Sequence, residues 1–181
     1  MVRHAIIAGG SIGGLFAAAA LLRAGWTVDV FERTAVELSG RGAGIVTHDT
    51  LIAALRSVGA DLTDLGVQVQ ERTAFDKAGH QLAVLPYPQI VTSWDRVHSI
   101  LRALIPAGHY HLGRSINQYT QDSGGVTAHF TDGQTLRADL LVGADGFRSA
   151  LREQMLPDVV PQYAGYVVWR ALVHEKDLPP A

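Results

Sequence analysis

The chain has 181 residues, enough to bury one substantial core, and 48% hydrophobic with 18% charged residues is globular composition, not disorder. A formal net charge of −2, without a run of like charges, offers nothing to nucleic acid or to an anionic membrane surface. Cysteine is absent, which excludes disulfides, thiolate catalysis and Cys-ligated zinc or iron–sulfur centres, and suits a cytoplasmic protein.

Residues 5–22 carry no charge and follow Arg3 and His4, the outline of a signal peptide or membrane helix. Gly9, Gly10, Gly13 and Gly14 argue against that reading, since each weakens a helix by roughly 1 kcal/mol relative to Ala. The run divides instead into elements. Val2 to Ala8 predicts a strand buried on both faces, Ile12 to Ala24 a helix stopped by Gly25, and Thr27 to Phe31 a second strand. An interval of about twenty residues between the strands suits a right-handed βαβ crossover.

Gly40-Arg41-Gly42-Ala43-Gly44 is a second glycine-rich stretch, leading into Ile45-Val46. Leu51, Ile52, Leu55 and Val58 have helical spacing within Asp49 to Val58. Val67 to Leu85 reads as two strands with a turn at Lys77-Ala78-Gly79; Pro86 and Pro88 break the pattern, and Ile90 to Thr92 reads as a separate strand. Trp94 to Leu104 returns to helical period and ends before Pro106. Tyr110 to Val142 is β in texture, with turns at Gly124-Gly125 and Asp132-Gly133 and a buried strand at Leu140-Leu141-Val142. Arg148 to Met155 predicts a short helix and Gly165 to Val173 a last strand.

Two segments carry chemistry. In Gly9-Gly10-Ser11-Ile12-Gly13-Gly14, Gly9 and Gly14 occupy the first and third glycines of G-x-G-x-x-G, and Ser11 stands at the second. Gly9 permits the sharp turn out of the strand, Gly14 lets the helix pack close to the sheet, and the helix N-terminus offers unpaired N–H groups to a pyrophosphate. Ser11 places a small side chain where backbone and phosphate nearly touch, and its hydroxyl can donate. Glu32, closing the second strand, can accept from the hydroxyls of an adenosine ribose and disfavours a 2′-phosphate, hence NADP, at this loop. A plain tight turn and a solvated strand end are the structural alternatives for the glycines and for Glu32.

The second segment runs from Asp139 to Arg152, where a buried strand again enters a glycine turn, Gly143-Ala144-Asp145-Gly146, and a helix start. Strands of a doubly wound sheet present ligands at their carboxyl ends, which would bring Asp145 and Gly146 beside the first loop. The alternative is a capped turn in which Asp145 or Ser149 satisfies orphan helix N–H groups.

Together these segments resemble the N-terminal part of the class A FAD-dependent aromatic-ring monooxygenases. Arg41 to Thr47, Ser93-Trp94-Asp95-Arg96 and Tyr163 to Arg170 are similar to the 2,6-dihydroxypyridine hydroxylase-like branch. The resemblance implies an α/β fold: a Rossmann-like FAD-binding domain over 1–160 with an inserted β-meander, and the truncated start of a second, substrate-binding domain over 161–181. It implies FAD as cofactor and NAD(P)H as co-substrate, and an enzyme that hydroxylates an electron-rich aromatic or hydroxypyridine ring. The partners implied are a small aromatic substrate and O2, with a homodimer left open. Gly9, Ser11, Ile12, Gly13, Gly14, Glu32, Arg33, Arg41, Arg96, Asp145 and Gly146 are the candidate cofactor-binding residues. His48 follows the Arg41 segment, either facing flavin or substrate or serving structure.

Two departures qualify the resemblance. Many members carry an Arg where Trp94 stands, so Arg96 either replaces it or the contact is lost. No Gly-Asp dipeptide, whose Asp holds the flavin ribitol in the family, occurs in this sequence. The chain therefore reads as a fragment, expected to be inactive in hydroxylation by itself. A non-catalytic ADP- or FAD-binding module is the alternative, and an ordinary NAD dehydrogenase lacks identifiable catalytic residues. His109 and His111 share a strand face without a third ligand nearby in sequence, a poor basis for a metal site.

Overall fold

A computed structural model describes residues 2–38, 44–168 and 174–177. At its centre is a four-stranded parallel sheet in the order β10-β1-β2-β6, formed by β1 (His4–Ala8), β2 (Thr27–Glu32), β6 (Tyr110–Leu112) and β10 (Leu140–Gly143). The helix α1 (Ile12–Arg23) joins β1 to β2. The uninterrupted apolar run of β1 is explained by burial on both sides. Ala5 and Ile7 enter one core with Leu15, Ala18, Val28, Val30, Val97 and Leu101, whereas Ile6 and Ala8 enter a second with Phe31, Ala128, Phe130 and Leu151.

The first core is covered by α1, by α2 (Asp49–Ser57) and by α3 (Trp94–Arg102). The second is covered by an antiparallel meander of β7 (Ile116–Asp122), β8 (Gly125–Phe130) and β9 (Thr135–Ala138), with α4 (Ala150–Met155). A further antiparallel sheet has the order β3-β5-β4, from β3 (Gly44–Val46), β4 (Val67–Phe75) and β5 (Gln81–Ser93). Among the described residues, no helix is long and apolar enough to cross a membrane.

Two expectations need correction. Pro86 and Pro88 do not divide the chain: β5 runs through both. Among the described residues β5 is here flanked on one side only, because β3 pairs just with Val91, Thr92 and Ser93, and the ladder to β4 shifts register between Val69 and Glu71. A free edge and a bulge are the places where a missing N–H is tolerated. At the other end, Gly165 to Val168 form no strand, and residues 169–173 of that expected element lie outside the described residues. Tyr166, Val167 and Val168 are exposed, and no described strand pairs with them, so their β-forming side chains have nothing to pack against.

The pair His109 and His111 does acquire company through the sheet. His4 Nε2, His111 Nε2 and His109 Nδ1 donate to the Asp29 carboxylate at 2.9, 2.8 and 3.2 Å. Among the described residues no His, Asp or Glu group is arranged to hold a metal ion, and this cluster is a hydrogen-bonded one. Burial pushes the Asp29 carboxyl up, but the bonds from His111 and His4 and the charge of the histidines outweigh it, leaving its pKa below the ordinary range. A carboxylate so depressed contributes stability above its unfolded pKa and loses it as pH falls through the folded value. Asp29→Asn is therefore expected to flatten the fall in urea midpoint below about pH 4. An unchanged acid slope in the variant would refute this role.

Candidate functional site

The connection leaving β1 runs through α1 to β2 on one side, whereas β10 lies on the other, so the strand order reverses between β1 and β10. Carboxyl ends diverge at such a point and leave a crevice. Both glycine segments emerge there. Ala8 is in register with Gly143, and Ala144 N–H donates to Ala8 O at 2.8 Å. Gly9 N–H donates to Phe31 O at 2.8 Å, and its φ of +110° lies in the left-handed region. A Cβ on Gly9 would fall on the Ala144 carbonyl oxygen, so residues 135 apart in sequence meet backbone to backbone. A Cβ on Gly14 would in turn fall on the Gly9 carbonyl oxygen.

A cavity of about 400 Å³ opens on these loops, within the usual size of cofactor sites. Gly9, Ser11, Glu32, Arg33, Asp145 and Gly146 all line it. Ser11 is the N-cap of α1 in extended conformation, yet its side chain makes no capping bond and the first turn contains no acidic residue. The partial positive charge of that helix end is thus not met by its own cap or first turn.

Glu32 is 7% exposed and serves the loop as well as the cavity. Oε2 accepts from Gly10 N–H and Oε1 from Thr34 N–H, each at 2.9 Å. Burial raises its pKa, but the hydrogen bonds from Thr34 and Gly10, with the nearby Arg33 charge, bring it below the ordinary value. It stays an anion at neutral pH, with lone pairs beyond the two taken by backbone.

Asp145 combines the two roles the sequence left open. Ser149 Oγ–H donates to Oδ1 at 2.6 Å, Leu151 N–H to Oδ2 at 3.4 Å, and Ser149 Oγ accepts from Arg152 N–H at 2.9 Å. The pair caps α4 while Asp145 and Gly146 remain on the cavity wall. Gly146, at φ +88°, makes the turn that permits both.

Other candidates lie elsewhere. Ile12 packs against the first core, and a Cβ on Gly13 would meet nothing within 4 Å. Gly14 contributes close packing, as its contact with Gly9 requires. Arg96 does not line the cavity: Nε and Nη2 donate to Asp64 O and Thr63 O at 2.9 and 2.6 Å, turning the guanidinium toward the loop ahead of β4. The cause is helical register. Ser93 caps α3 through Arg96 N–H, which puts Trp94 on the cavity wall and Arg96 on another side of the first turn. Arg41 lies outside the described residues. His48 caps α2, its Nδ1 accepting from Leu51 N–H at 3.2 Å, which is the structural role.

Sequence reasoning passed over several residues that the fold brings in. Arg114 and Asn117 line the cavity, and Arg114 lies 4.5 Å from the Phe130 ring centroid while Nη2 donates to Gln134 Oε1 at 3.0 Å. Nothing in the local sequence marks Arg114, since β6 must pair with β2 before it can arrive. His98 and Tyr110 stand behind the glycine loop, and only His98 had a signal, four residues after Trp94 on one helical face.

A family profile described as "FAD binding domain" matches residues 3–172. The 2,6-dihydroxypyridine 3-monooxygenase of Paenarthrobacter nicotinovorans is 36% identical over 168 residues, an alignment covering 92% of this chain and 42% of that protein. The solved structure of 2,6-dihydroxypyridine-3-hydroxylase from Arthrobacter nicotinovorans superposes with a TM-score of 0.81 at 34% identity, over 91% of this chain and 42% of the other. HpxO of Klebsiella pneumoniae complexed with FAD and uric acid superposes with a TM-score of 0.73 at 25% identity, over 84% and 41%. The chain thus spans less than half the length of each of these three relatives.

Proposed function

The chain belongs to the family of FAD binding domains, and from this premise we propose that the crevice between β1 and β10 holds the ADP half of FAD in an aromatic-ring monooxygenase. The observation that carries the reading is the meeting of the two glycine turns, with Ser11, Glu32 and Asp145 around one cavity. These residues fit the cofactor. Gly9, at positive φ and packed on Ala144, makes the turn that seats the loop at the crevice, and the free Ser11 hydroxyl and first-turn N–H groups of Ile12 and Gly13 are donors for a pyrophosphate. Glu32 has spare lone pairs for the ribose hydroxyls, and Arg33 and Arg114 add positive charge to the cavity wall. Asp145 and Gly146 bound the opposite side.

FAD, when bound, supplies the redox chemistry by which NAD(P)H and O2 hydroxylate an electron-rich ring. This chain's own residues orient the dinucleotide and set N–H donors and positive charge beside its diphosphate. The similarity to 2,6-dihydroxypyridine 3-monooxygenase supports a hydroxypyridine or related small aromatic ring as substrate of the whole enzyme. In that enzyme, residues 1–160 would form the cofactor domain and 161–181 the start of the substrate-binding domain, acting in the cytoplasm. Arg96 is committed to Thr63 and Asp64 and Trp94 stands on the cavity wall, so in this reading the cofactor contact of an arginine at that helix start is lost.

The purified chain is expected to carry flavin absorbance, or to take up FAD from solution more tightly than ADP. A colourless protein that binds ADP as tightly as FAD would replace this reading with that of a plain nucleotide-binding module.

A further inference from the structure

Gly10 is not on the cavity wall, although its neighbours Gly9 and Ser11 are. The two peptide groups that flank its Cα are each held. The N–H donates to Glu32 Oε2 at 2.9 Å, while the carbonyl oxygen accepts from Tyr110 O–H at 2.9 Å and faces His98 Nε2 at 3.1 Å. A carbonyl can only accept, so His98 Nε2 carries the hydrogen.

Neither donor neighbours the loop in sequence, and each is itself held. His98 is 4% exposed and stacks on Trp94, with ring centroids 4.7 Å apart and planes 15° from parallel. The Tyr110 ring lies under the Arg102 guanidinium, 4.1 Å from its centroid. Burial, followed by the charges of Glu32 and Glu37, pushes the Tyr110 phenol up to about 12, so it remains a donor at neutral pH. A Cβ on Gly10 would fall on the Tyr110 hydroxyl, which explains a glycine here that the dinucleotide fingerprint does not demand.

The consequence is electrostatic. Gly10 immediately precedes the N-cap of α1, and a glycine peptide is free to rotate. Turned into the cavity, its carbonyl dipole would oppose a diphosphate; fixed on the far side, it leaves that face to N–H groups. We propose that His98 and Tyr110 are positioning residues of the diphosphate loop, acting through the Gly10 carbonyl to preset it for an anion. This rests on the crevice being the FAD site.

Calorimetric titration of FAD and ADP into the full 181-residue chain tests it, with thermal unfolding of each ligand-free variant alongside. Tyr110→Phe and His98→Leu are each expected to weaken both ligands by the same factor, about fivefold to tenfold for one lost hydrogen bond. His98→Gln, whose amide N–H can replace Nε2–H, is expected to restore affinity to within about twofold. Unchanged affinity in Tyr110→Phe overturns the proposal, as does a His98→Gln variant as weak as His98→Leu at equal thermal stability. Should His98→Leu fail to fold, Tyr110→Phe decides alone, since it keeps the ring beneath Arg102. A wild-type chain that binds neither ligand would instead overturn the crevice reading, and this proposal with it.

Discussion

Gly14→Val is expected to abolish flavin retention and to lower the thermal unfolding midpoint of the chain. The first side-chain carbon would land on the Gly9 carbonyl oxygen and come within 3.2 Å of Ile7 Cγ2. Neither neighbour can yield cheaply. Gly9 is tied to Phe31 by its N–H, pressed against Ala144 and held at positive φ, and Ile7 is fully buried in the first core. Relief would require α1 to lift from the sheet, disturbing Leu15, Ala18 and Ala19 beneath it. Overpacking a core ordinarily costs about 1–3 kcal/mol, and displacement of main chain places this substitution at or above the upper end. Flavin-to-protein absorbance ratio and the unfolding midpoint measure it; a variant matching wild type in both would mean that α1 does not seat on the loop.

The second large effect is expected at Glu32. Replacing it with alanine strands the N–H groups of Gly10 and Thr34 and removes the acceptor proposed for the ribose. Gly10 N–H is buried and Thr34 N–H partly so, and a buried group left unpaired costs about 1–3 kcal/mol. Glu32→Ala should therefore destabilise the apoprotein, while loss of the ribose acceptor should weaken FAD about tenfold. Glu32→Gln separates the contributions, since it keeps the shape and one oxygen but turns a donor toward a backbone N–H. The acid dependence follows from the sign of the shift. A carboxylate with folded pKa below its unfolded value contributes stability above the latter, and this is lost as pH falls through the former. Urea midpoints should therefore fall less steeply below about pH 4.5 in Glu32→Gln than in wild type. Parallel curves would show that the carboxylate is not holding the loop.

Much of this could be read along the chain because it is local. The alternation of Val28, Asp29 and Val30, the apolar run at Ile6-Ile7 and the glycines at 9 and 14 each reflect a short-range requirement. Prolines misled where their context was not local. Pro86 and Pro88 signal interruption until the unpaired edge of β5 is known. Arg96 misled for a related reason: charge suggested a phosphate ligand, whereas the cap at Ser93 directs that position to the carbonyls of Thr63 and Asp64.

The sequence by itself determined the β1-α1-β2 unit, a glycine loop able to approach a diphosphate, an acidic residue at the end of β2, and a second glycine turn after β10. Only the tertiary structure decided that the two turns touch, that Glu32 and Asp145 brace the loops whose cavity they also line, and that His98 and Tyr110 hold Gly10 from behind. The division has a physical cause. A turn or a helix start is specified by the backbone preferences of a few consecutive residues, while β1 meets β10, and Gly10 meets Tyr110, only after strand pairing in the central sheet has closed loops of more than half the chain.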